Sequence, residues 1–136
     1  MPSETMPKVW SKNGERMKVA VTSSTKSIDS AIDERFARCN FLVIIDTDSM
    51  EYEFFSNEAI ASSSGAGVKA AQELIDKKVE AVITGNIGPN AFDVLNKAGI
   101  KIFKASGSIK EAIENFKEGK LKEMDMANVG RHGGMR

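Results

Sequence analysis

The chain has 136 residues, 19 basic and 19 acidic side chains and a single cysteine, Cys39. That length suits one domain with its own hydrophobic core, and the balanced charge argues against wholesale electrostatic binding to nucleic acid or an anionic membrane. One cysteine excludes an internal disulfide and a self-contained four-thiolate metal site, and it fits a reducing, cytoplasmic compartment.

Residues 1–16 read as a flexible leader: Lys8, Lys12 and Arg16 flank no apolar segment of the signal-peptide type. No apolar run approaches the roughly 20 residues that span a bilayer. Order is expected from Met17. KVAVT at Lys18 to Thr22 has the β-branched character of a strand, and a Ser/Thr-rich loop follows to Ser30. NFLVIIDT, Asn40 to Thr47, is apolar throughout Phe41 to Ile45, which predicts a strand buried on both faces. A short turn leads to MEYEFF, Met50 to Phe55, whose alternation predicts the second arm of an antiparallel hairpin.

A serine and glycine loop over 57–67 precedes a helix from about Ala66 to Lys78, with Val68, Ala71, Leu74 and Ile75 on one face. VEAVIT, Val79 to Thr84, is the next strand. Pro89 then suits the first turn of a second helix, because its missing N–H is not needed there, and Gly99 suits its end. IKIFK, Ile100 to Lys104, is a fifth strand. Ser108 and Glu111 have capping-box spacing at the start of a last helix that Gly119 ends. Residues 120–136 read as a mobile tail rich in glycine with one histidine. The order β-β-β-α-β-α-β-α predicts an α/β fold: a mixed five-stranded sheet with an antiparallel hairpin and about three covering helices.

Three segments could carry chemistry. IDERFARCNF, Ile32 to Phe41, packs Arg35, Arg38 and Cys39 between two strands. Either arginine could hold an anion through forked hydrogen bonds, and neighbouring cations would lower the Cys39 pKa and favour a metal-ligating thiolate. The alternative, which spacing alone favours, is that Cys39 is a small buried hydrophobe and the charges a solvated loop. TGNIGPNAF, Thr84 to Phe92, joins a strand end to a helix start, where open α/β sheets place ligands and helix N–H groups welcome negative charge. Asn86 and Asn90 would add donors there; alternatively Gly85, Gly88 and Pro89 simply make the turn. His132 in NVGRHGGMR is the one imidazole, a common transition-metal ligand.

Other patterns carry less. Gly65 to Ala70 matches GxGxxA by letter, but it follows a serine loop rather than a strand, so a dinucleotide fingerprint is discounted. There is no GxxxxGK[ST] loop, a Ser-His-Asp triad would need unrelated residues, and Asp29, Asp33 and Asp46 show no sign of converging on metal ions.

Together, AIDERFARCNFLVIID, GAGVKAAQELIDKKVEAVITGNIGPNAFDVLNKAGIKIF and the Gly/His tail resemble the dinitrogenase iron–molybdenum cofactor biosynthesis family, the NifX/NifB-type proteins, in their small stand-alone form. The likeness runs from about Met17 to Gly134, with the domain proper at 17–119. It implies an RNase H-like three-layer fold. It also implies a carrier or assembly accessory, rather than a catalyst, for an iron–sulfur or iron–molybdenum–sulfur cluster or its precursor. By position it implies Arg38, Cys39, Gly85, Asn86, Gly88, Pro89 and Asn90 as cluster-binding residues, with Cys39 and His132 as metal ligands. Ala37 stands where the family pattern has glycine. The implied partners are cluster-assembly or acceptor proteins, and a site with one cysteine per chain gives a reason to consider a homodimer. The alternatives are a cofactor-free interaction or regulatory module, and an enzyme acting on a small phosphorylated ligand at the glycine loop.

Overall fold

The computed structural model describes residues 17–57 and 65–127. Its elements follow in the order β1 (Lys18–Ser23), β2 (Phe41–Asp46), β3 (Tyr52–Ser56), α1 (Ala66–Asp76), β4 (Ala81–Thr84), α2 (Pro89–Lys97), β5 (Lys101–Lys104), α3 (Ile109–Lys117) and β6 (Lys122–Glu123). The sheet order is β3-β2-β1-β4-β5-β6. β1, β4 and β5 run parallel, and β2 pairs antiparallel with both β1 and β3. No helix among the described residues is long and apolar enough to cross a membrane.

Alternation along the strands divides the core into two layers. Ala20, Leu42, Val82 and Ile102 face Ala70, Ala71 and Leu74 of α1 and Ala91 and Leu95 of α2. Val21, Val43, Ile45, Ile83 and Phe103 face Ile109, Ala112, Ile113 and Phe116 of α3. Phe103 and Phe116 meet edge to face, with centroids 5.1 Å apart. The continuous apolar run of β2 thus serves both layers, Leu42 on one side and Val43 and Ile45 on the other.

Among the described residues the sheet has six strands, not five. After Gly119 the chain returns to the sheet margin, where Lys122 and Glu123 pair antiparallel with β5 and Met124 N donates to Ile102 O at 2.7 Å. Both β6 residues are exposed, and backbone pairing at an edge needs no apolar pattern, so hydropathy carries no trace of it.

The crossovers bring the starts of α1 and α2 to one end of the molecule. The two helices pack closely there: a Cβ on Gly67 would lie 3.2 Å from Ala91 Cβ and 3.7 Å from Ala37 Cβ.

Candidate functional site

The 31–40 segment is not a loosely solvated loop. Asp33 N donates to Thr22 O, and Thr22 Oγ1 donates to Asp33 O, which ties the segment to the end of β1. Next, Asn86 N donates to Glu34 O at 2.7 Å and Phe36 N donates to Asn86 O at 3.1 Å, a short parallel bridge onto the loop after β4. The approach is so close that a Cβ on Gly85 would sit 2.9 Å from Glu34 Cα, so glycine is required there by contact. Gly85 O also accepts from Lys104 Nζ at 3.0 Å.

These constraints fold the segment over the helix starts and leave a cleft of about 420 Å³. Its walls are Arg35, Phe36, Ala37 and Arg38 from the first segment, Asn86, Gly88, Pro89, Asn90 and Ala91 from the second, and Gly65 to Val68 at the start of α1. Of the expected binding residues, Arg38, Asn86, Gly88, Pro89 and Asn90 therefore meet in one place. Gly85 is beside the cleft, beneath Glu34, rather than in its wall. A slightly larger hollow, about 440 Å³, lies beside β3. It mixes Asp46, Glu51 and Glu53 with Lys18 and Lys77 and contains none of the expected residues.

Two helix starts open on the cleft. α1 begins after Gly65 and α2 after Gly88; neither cap supplies a side-chain acceptor, and neither first turn holds an acidic residue. The first-turn N–H groups of a helix lack intrahelical partners and carry roughly +0.5 of an elementary charge. Gly65 has φ +73°, which favours glycine. Gly88, at φ −84°, has an ordinary extended backbone, and a Cβ there would meet nothing within 4 Å.

The two arginines differ. Arg35 is gripped by Asp33: Nε donates to Oδ1 at 3.1 Å and Nη2 donates to Oδ2 at 3.2 Å, while Asp33 Oδ1 also accepts from Arg35 N. Asp33 is only 6% exposed, and its hydrogen bond and charge raise the Arg35 pKa further. Arg35 is thereby a fixed cation on the rim. Arg38 is exposed at the cleft wall.

Cys39 contradicts the expectation of a cation-stabilised thiolate. It is 0% exposed and packs with Phe36, Leu42 and Ala70. Its Sγ donates to Phe36 O at 3.4 Å. Burial first, then the nearby Asp33 charge, pushes its thiol up to about 12. Arg35 does not reverse this, because its guanidinium is turned to Asp33. Cys39 does not line the cleft. Among the described residues no group of three His, Cys, Asp or Glu side chains converges to hold a metal ion. His132 and the rest of 128–136, like the leader 1–16, lie outside the described residues.

Sequence reasoning missed two contributors. The start of α1 forms the third wall, and its one signal is a Gly-Ala-Gly opening onto an apolar helix without a capping side chain. Asn57, at the end of β3, is 2% exposed and reaches back to the 37–39 backbone; nothing in the sequence marked it.

Residues 17–119 match the family described as dinitrogenase iron-molybdenum cofactor. An uncharacterized protein of Methanocaldococcus jannaschii is 32% identical over 114 residues, which span 80% of this chain and 97% of that relative. The apo form of the orange protein from Desulfovibrio gigas is 31% identical, with a TM-score of 0.80 over 84% of this chain and 98% of its own. A protein proposed to be a NifB, from Thermotoga, is 41% identical, with a TM-score of 0.69 over 79% of this chain and 92% of its own.

Proposed function

Because the chain belongs to the dinitrogenase iron–molybdenum cofactor family, we propose that it holds an anionic metal–sulfur cluster or precursor, of iron–sulfur or iron–molybdenum–sulfur type, as cargo in this cleft. One observation carries the reading. Two helix starts, both closed by glycine and both free of first-turn carboxylates, open on a single hollow rimmed by Arg35 and Arg38.

The donor set suits such cargo. Cluster sulfides accept hydrogen bonds from N–H groups, and the helix starts and guanidinium groups offset the cluster's negative charge. Protein thiolates are not offered by the cleft wall. The cargo would therefore keep its own inorganic sulfide ligands and be held by charge and hydrogen bonds. Arg38 would orient it, Gly88 and Pro89 would present the Asn90 and Ala91 N–H groups, and the Asn86 and Asn90 amides would add contacts. Gly85 would act indirectly, by letting Glu34 approach. His132, carried by the 120–136 segment, would close the site.

Holding without a covalent ligand suits release to a cluster-assembly or acceptor protein in the cytoplasm, and it asks for no catalysis. The strand order with β2 as the one reversed central strand supports the RNase H-like type for the fold.

The test is anaerobic reconstitution of the full chain with ferrous iron and sulfide, with and without molybdate. The expected result is a stoichiometric charge-transfer absorption that survives Cys39→Ala and disappears in Arg38→Glu. No absorption from the wild-type protein under either condition would overturn the reading and leave a cofactor-free interaction module.

A further inference from the structure

Arg38 sits in the cleft wall between two residues whose backbone is held by one distant side chain. Asn57 Nδ2 lies 3.1 Å from Ala37 O and 2.9 Å from Cys39 O, across a separation of 20 residues from Ala37. The same nitrogen lies 3.7 Å from Cys39 Sγ. A side-chain amide has two N–H donors, and here the carbonyls on either side of Arg38 take both. The Asn57 backbone N–H adds a third tie, to Asn40 O at 3.0 Å.

The cost of breaking this clamp would be local. Asn57 is 2% exposed and Cys39 is fully buried, so a lost donor leaves carbonyl groups without a ready replacement from water. The strain would fall on the 37–39 backbone, whose one exposed charged side chain is Arg38. Asn57 itself does not line the cleft.

We propose that Asn57 is a positioning residue: it fixes the backbone on both sides of Arg38 and so sets the place of the guanidinium at the cleft. The inference rests on the anion-holding reading of the cleft. It adds that Asn57 acts on binding only through Arg38. A merely structural asparagine would lower stability and weaken binding to the same degree whether or not residue 38 is arginine.

A double-mutant cycle separates these cases. Wild type, Asn57→Ala, Arg38→Ala and the double variant are titrated without oxygen, with molybdate in excess sulfide as the anionic probe, and uptake is read from its absorption. Asn57→Ala is expected to weaken uptake about tenfold in the wild-type background and less than about twofold when residue 38 is already alanine. Equal losses in the two backgrounds would overturn the proposal while leaving the cleft reading intact. No uptake by wild type would overturn both. If Asn57→Ala does not fold, Asn57→Ser, whose hydroxyl can donate to one of the two carbonyls, enters the same cycle under the same criteria.

Discussion

At the start of α3 the chain satisfies its own backbone. The Ser108 hydroxyl accepts from Glu111 N at 3.1 Å, Ile109 N donates to Ser30 O at 3.0 Å, and Glu111 places a carboxylate in the first turn. At the starts of α1 and α2 the corresponding positions are Gly65 and Gly88, with no side-chain acceptor and no acid. Two of the three described helices therefore lack a capping side chain, a feature worth roughly a few tenths of a kcal/mol over the glycine present, and those two open on the same cleft. The missing caps are therefore a property of a place in the fold, not of a generally weak helix design. In the function proposed above, these helix starts are where an anion would be held.

The sharpest way to break this contrast is to give α2 a cap like that of α3. Gly88→Asp is compatible with the local backbone, since φ is −84° and ψ is 171° and a Cβ meets nothing within 4 Å. The aspartate would accept from the N–H groups of the first turn and would complement the helix dipole, so thermal stability should hold or rise by a few tenths of a kcal/mol. Anion uptake should fall about a hundredfold, because the donors are consumed and a like charge enters the cleft. Calorimetry or thermal melts, paired with the reconstitution assay, check the two effects together. Unchanged uptake with raised stability would detach the helix starts from binding.

The converse change is expected to act on stability alone. Ser108→Ala removes the hydroxyl that caps α3 and should cost about 1 kcal/mol, lowering the melting temperature by several degrees in a domain of this size. Anion uptake should be unaltered, because α3 packs on the opposite face of the sheet from the cleft. A loss of uptake in Ser108→Ala would show that global stability, not local chemistry, governs binding, and it would remove the force of the Gly88→Asp result.

How much of this was legible beforehand follows from the range of each interaction. Pro89 after a glycine-bounded loop announces the start of α2, and Ser108 with Glu111 announces that of α3, because both signals lie within four residues. The convergence of Arg38 with Asn86, Gly88, Pro89 and Asn90 was legible as two separate anion-friendly segments. Their meeting depends on Glu34 and Phe36 docking on Asn86, a contact across some fifty residues that leaves no local pattern. The clamp by Asn57 is hidden for the same reason: an asparagine after a strand reads as a loop residue wherever its amide points. β6 was invisible because two polar residues at a sheet edge follow no hydropathic period. Cys39 misled because a run of charges looks the same whether its arginines face the sulfur or, as Arg35 does, turn to Asp33.

That last reversal yields the smallest expected effect on binding and a distinct one on pH dependence. The buried Cys39 thiol has its pKa pushed from an ordinary value of about 9 up to about 12, so the folded state holds the proton more tightly than the unfolded chain. Its contribution to stability is fully present below about pH 9 and is lost as the pH rises towards 12. The unfolding free energy of wild type should therefore drop more steeply over that window than that of Cys39→Ala, with a difference approaching the one-proton limit of about 1.4 kcal/mol per pH unit. The remaining ionisable groups are common to both proteins and cancel in the difference. Uptake of the anionic probe near neutral pH should be the same in the two. A cysteine serving as a thiolate ligand would do the opposite on both counts: its removal would abolish the absorption, and the folded state would gain stability as the thiol ionised. The sulfur that first suggested a metal site thus becomes, through its hydrogen bond to Phe36 O and its place among Leu42 and Ala70, part of what holds the Arg38 segment over the helix starts.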